Sequence, residues 1–487
     1  MKSIFKIGLM ALASVMVAET VQAQIGAPFI HDPATVAECN GKYYTWGTGG
    51  SGLVSEDGWV WTNGERIANV GAAPDMLKIG DRYLLAYSTT GGGLGGGHAG
   101  TIVTCWAKTL DPSSPDYGFP AAAERKTVAY SLSDEDCDAI DAGLILTPEG
   151  RLFVTFGTYF GFIRVCELNP ETGERLDTLA ADINVAVDCE ASDMIYHDGY
   201  YYLLGTHGTC CDGVNSTYNI VCGRSKSPTG PFIDNVGRDM VEGGGKMVLG
   251  CRDGYAGAGH FGRTIIEEGV EKMSFHWEAD YSMSGRSTLA ILPIVWRNGW
   301  PEAGYNVKNS VYEIESERRG YALELATEYV RLGGGRGMGG MFGGGGQQQA
   351  NTQVAFQKLE DVIGNWPAGN IDIRVCDYQF RPNQKWELVA LEEGTLGAPY
   401  YKIVIAGTNR ALAAAENKSL TSVPEFTGAP EQMWRVDQLT DGTYRLMPKA
   451  VPGCSEPLCL MSAGDSNATL GKFDFNNVNC KWNFRQY

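Results

Sequence analysis

The chain has 487 residues, more than one ordinary domain accommodates, and its 44% hydrophobic and 20% charged residues exclude wholesale disorder. A formal net charge of -18, with an isoelectric point near 4.8, excludes the clustered Lys and Arg on which binding to nucleic acid or anionic membranes depends, and leaves a neutral partner such as a sugar open. The 64 glycines and 23 tyrosines favour strands joined by tight turns, so an all-β protein is expected.

The first element is a leader. Residues 1–23 carry Lys2 and Lys6, an apolar run over 7–18 and Val21-Gln22-Ala23, which reads as a secretory signal peptide with a small-residue cleavage site. The run is shorter than the roughly 20 residues a bilayer-spanning helix needs. No later segment is apolar enough, so a secreted or periplasmic protein without a membrane span is expected. Thirteen cysteines in an exported chain suggest disulfides, and their odd number leaves at least one unpaired. Neighbouring Cys210 and Cys211 are expected to pair outward rather than with each other. With no C-x-x-C and no H-x-x-x-H there is no zinc signature.

A unit then recurs along residues 24–308: a polar residue, a short apolar segment, a glycine turn and an aromatic strand. The first copy joins His31-Asp32-Pro33 to Gly41-Lys42-Tyr43-Tyr44-Thr45-Trp46-Gly47-Thr48, and the second joins Ala73-Pro74-Asp75-Met76 to Gly80-Asp81-Arg82-Tyr83. The third joins Ala139-Ile140-Asp141-Ala142 to Gly150-Arg151-Leu152-Phe153. The fourth runs from Glu190 into an aromatic stretch over 194–204 that reads as one strand, and the fifth joins Gly259-His260 to Ser274-Phe275-His276-Trp277. Repeats that each supply one small sheet point to radial repetition, and a five-bladed β-propeller is expected.

In such a ring the innermost strand of every blade starts near the axis, which brings Asp32, Asp75, Asp141, Glu190 and His260 to one central cavity at a common phase. A lone Asp before Pro more often caps a turn. Five acids or histidines in one phase are hard to explain that way. Clustered carboxylates raise one another's pKa, so one can stay protonated as an acid while another activates water, the pairing by which glycosidic bonds are hydrolysed. The glycine run over 91–97 lacks the helix and distal acid of a dinucleotide site and reads as a flexible loop by the cleft.

The residues around Cys210-Cys211, with Asn215-Ser216-Thr217-Tyr218 and Arg224-Ser225-Lys226, resemble the fourth blade of glycoside hydrolase family 43 in its arabinanase branch. The likeness covers residues 28 to about 303 and includes Gly285-Arg286-Ser287-Thr288-Leu289 and Asn298-Gly299-Trp300-Pro301. It implies Asp32 as the general base that activates water, Glu190 as the general acid, and Asp141 as the carboxylate that orients the acid and tunes its pKa. It also implies His260 beside an axial ion, usually calcium, reached largely through water, with His31, Asp75, Tyr159 and Phe160 lining the substrate. The family inverts anomeric configuration, which implies acid and base carboxyls about 6.5–9.5 Å apart. Ala72, Asp138, Ala142 and Tyr159-Phe160 depart from the family pattern, altering stacking surfaces but none of the three carboxylates.

Over residues 309–487 the pattern changes. Gln384-Lys385-Trp386, Gln432-Met433-Trp434 and Cys480-Lys481-Trp482 recur at equal intervals, with strands opened by Tyr312, Tyr401 and Tyr444. Three such units resemble the lectin-like ricin-type β-trefoil, whose repeats carry Gln-x-Trp; the third copy has lost its Gln. Trp at this position is expected to pack the core rather than touch sugar. The first repeat is longer, nearly by the Gly-, Met- and Gln-rich residues 333–352, which are expected to be a disordered insertion.

The two resemblances imply a secreted, inverting hydrolase of α-1,5-linked arabinan acting within the chain. Its partner would be polysaccharide, including the arabinan side chains of pectin, and its cofactor calcium or another axial ion. The alternatives are an exo-acting arabinofuranosidase or β-xylosidase of the same family, which loop lengths around the cleft would separate, and a non-catalytic glycan-binding protein. Retention of Asp32, Asp141 and Glu190 argues against the last.

Overall fold

The computed structural model describes residues 24–89, 98–135, 137–159, 161–327, 363, 366–464 and 466–486. The leader over 1–23, the glycine run over 91–97, Phe160 and the insertion over 333–352 lie outside the described residues. Five antiparallel sheets follow in chain order as blades I to V. Blade I holds Ala37–Cys39, Lys42–Trp46, Gly52–Ser55 and Val60–Gly64, with Ile25–Gly26 parallel to the last; blade II holds Ala72–Ile79, Arg82–Ser88, Gly100–Ala107 and Lys126–Ser131. Blade III holds Gly143–Leu146, Leu152–Phe156, Phe162–Leu168 and Ile183–Val187, and blade IV holds Glu190–His197, Tyr200–His207, Asn219–Ser225 and Lys246–Leu249. Blade V holds Tyr255–Glu267, Val270–Asp280, Arg286–Arg297 and Trp300–Ala303.

Strand periodicity explains why the blades stack. Along Arg82–Ser88, Tyr83, Leu85 and Tyr87 face Tyr44 and Trp46 of blade I, whereas Leu84 and Ala86 face Leu144, Leu152 and Phe156 of blade III. A repeat of two thus divides one strand between two cores. Truncating a residue such as Leu85 to Ala would cost about 2–5 kcal/mol. Residues 28–30 close the ring beside blade V: the Leu289 N–H donates to the Pro28 carbonyl and the Ser287 hydroxyl to that of Ile30.

Blade IV corrects the single strand expected over 194–204. Asp198 and Gly199 take φ of 45° and 77°, the left-handed pair that a tight hairpin uses. The aromatic stretch therefore folds back on itself, pairing Tyr196 with Tyr201.

Each blade opens on a residue with left-handed backbone: Asp32 (φ 51°), Ala73 (44°), Asp141 (57°), Ala191 (46°) and His260 (58°). This conformation costs an L-residue roughly 1–2 kcal/mol. In blades II, IV and V the ladder slips at the same place, between Ala72 and Asp75, Glu190 and Asp193, and Gly259 and Gly262. Such bulges re-aim side chains. The common phase expected for five polar residues is corrected accordingly. Asp32, Asp141 and His260 occupy the left-handed position, Glu190 stands one residue before it and Asp75 two after.

The C-terminal strands form a closed ring. Ser310–Ser316 pairs with Trp386–Thr395, then come Ala398–Ile405, Met433–Gln438, Tyr444–Pro448 and Trp482–Gln486, which returns to Ser310–Ser316. Three hairpins join it: Ala322–Leu325 with Ile371–Cys376, Ala411–Ala414 with Leu420–Val423, and Cys459–Ala463 with Asn467–Gly471. Trp386, Trp434 and Trp482 are wholly buried. Their indoles donate to the carbonyls of Leu323, Leu412 and Leu460, which lie 63, 22 and 22 residues upstream, so the extra length sits in the first repeat. Gln384 and Gln432 each accept the N–H five residues earlier, from Gln379 and Thr427.

The two parts are fastened together across blades I and V. The Gly397 N–H donates to the Gly58 carbonyl, and Leu396 enters the apolar cluster of Ile30, Trp61, Leu289 and Ile291 between those blades. Nearby, the wholly buried Asp437 carboxylate meets Arg435 Nε and Arg445 Nη2, each at 2.8 Å, and Lys272 Nζ at 3.4 Å.

Candidate active site

The bulged blade heads bring Asp32, Asp141, Glu190 and His260 together. Asp32 Oδ2 accepts the Thr48 hydroxyl at 2.6 Å, and its Oδ1 lies 3.5 Å from both His260 Nδ1 and His31 Nε2. Its N–H donates to His276 Nδ1 at 3.2 Å. Burial works to raise the Asp32 carboxyl, but the facing His260, His31 and Thr48 outweigh it and hold its pKa below the ordinary value.

Glu190 is surrounded differently. Its Oε2 accepts the Thr158 hydroxyl at 2.8 Å and its Oε1 the Tyr218 hydroxyl. Burial pushes its pKa up to about 7, helped by the charges of Asp32 and Glu278 and opposed by Thr158. Asp141 Oδ2 accepts the Ala191 N–H at 3.1 Å, next to Glu190 in sequence. Burial and then the neighbouring Glu190 push Asp141 well above the carboxylate range as well. One carboxylate prefers its charge while two prefer a proton, and they lie close enough for Asp32 and Glu190 to act on Asp141. That is the division of labour an acid–base pair requires.

His260 donates its N–H to the Thr206 hydroxyl at 3.0 Å, and burial lowers its pKa to about 4, so at neutral pH its imidazole is uncharged. Glycines make room around it. A Cβ on Gly259 would lie 2.3 Å from the Tyr218 ring, and one on Gly257 would lie 2.4 Å from Ser216 Oγ. His31 sits half-buried with Nδ1 3.4 Å from Glu278 Oε1. The Tyr159 hydroxyl is spent on the Gly208 carbonyl, which leaves its ring beside Glu190.

Asp75 lies near enough for its charge to act on His260. Its oxygens accept the Thr35 and Leu144 N–H groups at 3.1 and 2.9 Å, bridging blades I and III, and it is buried. Cys210 and Cys211 are disulfide-bonded to each other, which corrects the expectation of outward partners; the other eleven cysteines are free.

Thr48, Thr158, Tyr218, His276 and Glu278 were not anticipated as site residues. Thr45-Trp46-Gly47-Thr48 and Thr155-Phe156-Gly157-Thr158 are the same motif at the same place in blades I and III, and both end on a hydroxyl that donates to a site carboxylate. That repetition was the available signal. His276 and Glu278 stand two apart on one face of Val270–Asp280, a pattern hidden within an aromatic run.

A calcium ion prefers six to eight oxygen ligands. Around His260 the protein supplies one imidazole and the Asp32 carboxylate, a donor set that suits the ion only with most of its shell as water. Among the described residues, donors of His31, His276 and Glu278 also lie within 4.8 Å of one another.

Comparison with known proteins follows the same division. Residues 39–301 match the glycosyl hydrolases family 43 model, and residues 382–473 the ricin-type beta-trefoil lectin domain-like model. The chain is 31% identical to an extracellular endo-α-(1→5)-L-arabinanase of Bacillus subtilis, over 56% of the chain and 87% of that protein. It is 29% identical to an extracellular exo-α-(1→5)-L-arabinofuranosidase of Cellvibrio japonicus, over 51% and 71%. Among solved structures it is similar to an exo-1,5-α-L-arabinanase from a bovine ruminal metagenomic library, with TM-score 0.52, 28% identity and coverage of 57% and 97%. It also resembles a Cellvibrio cellulosa α-L-arabinanase complexed with arabinohexaose, with TM-score 0.51, 25% identity and coverage of 56% and 95%.

Proposed function

Because the chain belongs to glycoside hydrolase family 43 and is a glycosidase, we propose that it cleaves α-1,5-linked arabinan within the chain, by direct displacement with water. Glu190 donates its proton to the leaving glycosidic oxygen. Asp32 removes a proton from the water that attacks the anomeric carbon, so the bond breaks in one step with inversion. Asp141 holds the Ala191 N–H and thereby the backbone that carries Glu190. The observation that carries this reading is the opposed preference of two neighbouring carboxyls, Asp32 low and Glu190 raised to about 7.

His31 and the Tyr159 ring, beside Asp32 and Glu190, are the substrate contacts within the described residues. A hydrated calcium ion at His260 would add positive charge beside Asp32 and favour its ionised form; no proton transfer above passes through it. The trefoil holds polysaccharide near the cleft, and the 1–23 leader directs export, in keeping with relatives described as extracellular. NMR of the first-formed product tests the mechanism: inversion is expected, and retention would overturn the role of Asp32. Chromatography of products from linear arabinan separates the modes. A ladder of oligosaccharides supports internal cleavage, and one short product alone from the outset supports the exo alternative.

A further inference from the structure

Glu278 enters the reaction above only through its charge on Glu190, yet it is only 5% exposed and three segments of the chain converge on it. Its Oε1 lies 2.8 Å from His276 Nε2 and 3.4 Å from His31 Nδ1, and its Oε2 accepts the Cys211 N–H at 2.9 Å. His276, itself wholly buried, accepts the Asp32 N–H at Nδ1. A ring nitrogen that accepts carries no proton, so His276 must hold its proton on Nε2, the nitrogen aimed at Glu278. His31 spans the same two carboxylates, its ring 4.7 Å from that of His276 and its Nε2 3.8 Å from Cys211 Sγ. Asp32 meanwhile keeps a left-handed φ of 51°, a conformation that persists only where the surroundings enforce it.

We propose that Glu278 is a positioning residue for the water-activating carboxylate, acting on Asp32 through His276, and that the Cys210–Cys211 turn fixes Glu278 in its place. Remove the carboxylate and His276 loses the acceptor that sets its tautomer, so the Asp32 N–H loses its anchor. A cation shared by His31, His276 and Glu278 is the competing reading of the same atoms, but it would have to displace both hydrogen bonds of His276.

The inference rests on Asp32 being the base, and the experiment separates the two. E278Q keeps the volume, but its amide offers one acceptor where two N–H groups need one each. On linear arabinan, E278Q should lower kcat per folded molecule about tenfold with KM within about twofold, beyond the small fall in melting temperature that one unpaired buried N–H brings. In an H276Q background, E278Q should cost less than about twofold more, because both changes cut the same path. An unchanged kcat, a fall in kcat that tracks a fall in melting temperature, or a full additive penalty beside H276Q would each overturn the proposal. So would a wild type that drops on adding EDTA to the level of E278Q while E278Q itself does not move, since that assigns the trio to a cation. D32N is assayed alongside: an active D32N defeats the base assignment, whereas an inactive D32N beside an unaffected E278Q defeats only the positioning role.

Discussion

Two groups of buried charges, one at the propeller axis and one where the trefoil meets blades I and V, are built from similar parts and end in opposite states. At the junction, burial works against the charge of Asp437, but Arg435, Lys272 and Arg445 overcome it and hold the carboxyl far below its ordinary range. At the axis, Glu190 receives two hydroxyls and other carboxylates instead of cations, and its pKa rises to about 7. Burial is common to both; the neighbours decide. A carboxylate that meets paired cations is fastening material, and one left among hydroxyls and its own kind is available for proton transfer.

The contrast can be broken in order of size. E190Q should reduce hydrolysis of linear arabinan by about 10²–10⁴-fold with the fold intact, measured as kcat beside a melting curve. Near-normal activity would mean that the raised pKa at the axis serves no chemistry. D437A should do the reverse. It leaves Lys272 buried without its counter-charge and Arg445 with Glu267 alone, and should cost about 3–5 kcal/mol in denaturant unfolding while kcat per folded molecule holds.

The finest test is the pH dependence of stability. Glu190 has a folded pKa above its ordinary 4.5, so its contribution is fully present below 4.5 and lost as pH rises to about 7. Asp437 is depressed, so its contribution is present above 3.8 and lost as pH falls below that. Melting temperature followed against pH should therefore lose its decline between 4.5 and about 7 in E190Q, and should lose part of its acid-side decline in D437N. The same curves from both variants would erase the distinction.

The ring and the meeting of Asp32, Asp141 and Glu190 were legible because strand periodicity and turn glycines write each blade locally, and because the three acids head their repeats. What escaped was everything decided between blades. The slip in its strand places Asp75 two residues past the left-handed position, where its oxygens accept the N–H groups of Thr35 and Leu144, a bridge between blades that spacing does not show. The Asp198-Gly199 turn was a readable hairpin signal inside an aromatic stretch that looked continuous. Tyr218, His276 and Glu278 could not be found from spacing, since Tyr218 reaches Glu190 across the width of blade IV, and His276 and Glu278 matter through Asp32, His31 and Cys211 of other blades. The Cys210–Cys211 bond went against the geometric prejudice that neighbours do not pair.

The contact between Leu396 and the gap separating blades I and V has one more meaning. That gap is where a circular chain of sheets, begun and ended there, is weakest. With Gly397 bonded to Gly58 and Lys272 Nζ donating to the Leu396 carbonyl, the C-terminal trefoil is also the buckle on the wheel. The propeller cannot spring open there without first shedding its companion, and wear on one part is therefore damage to both.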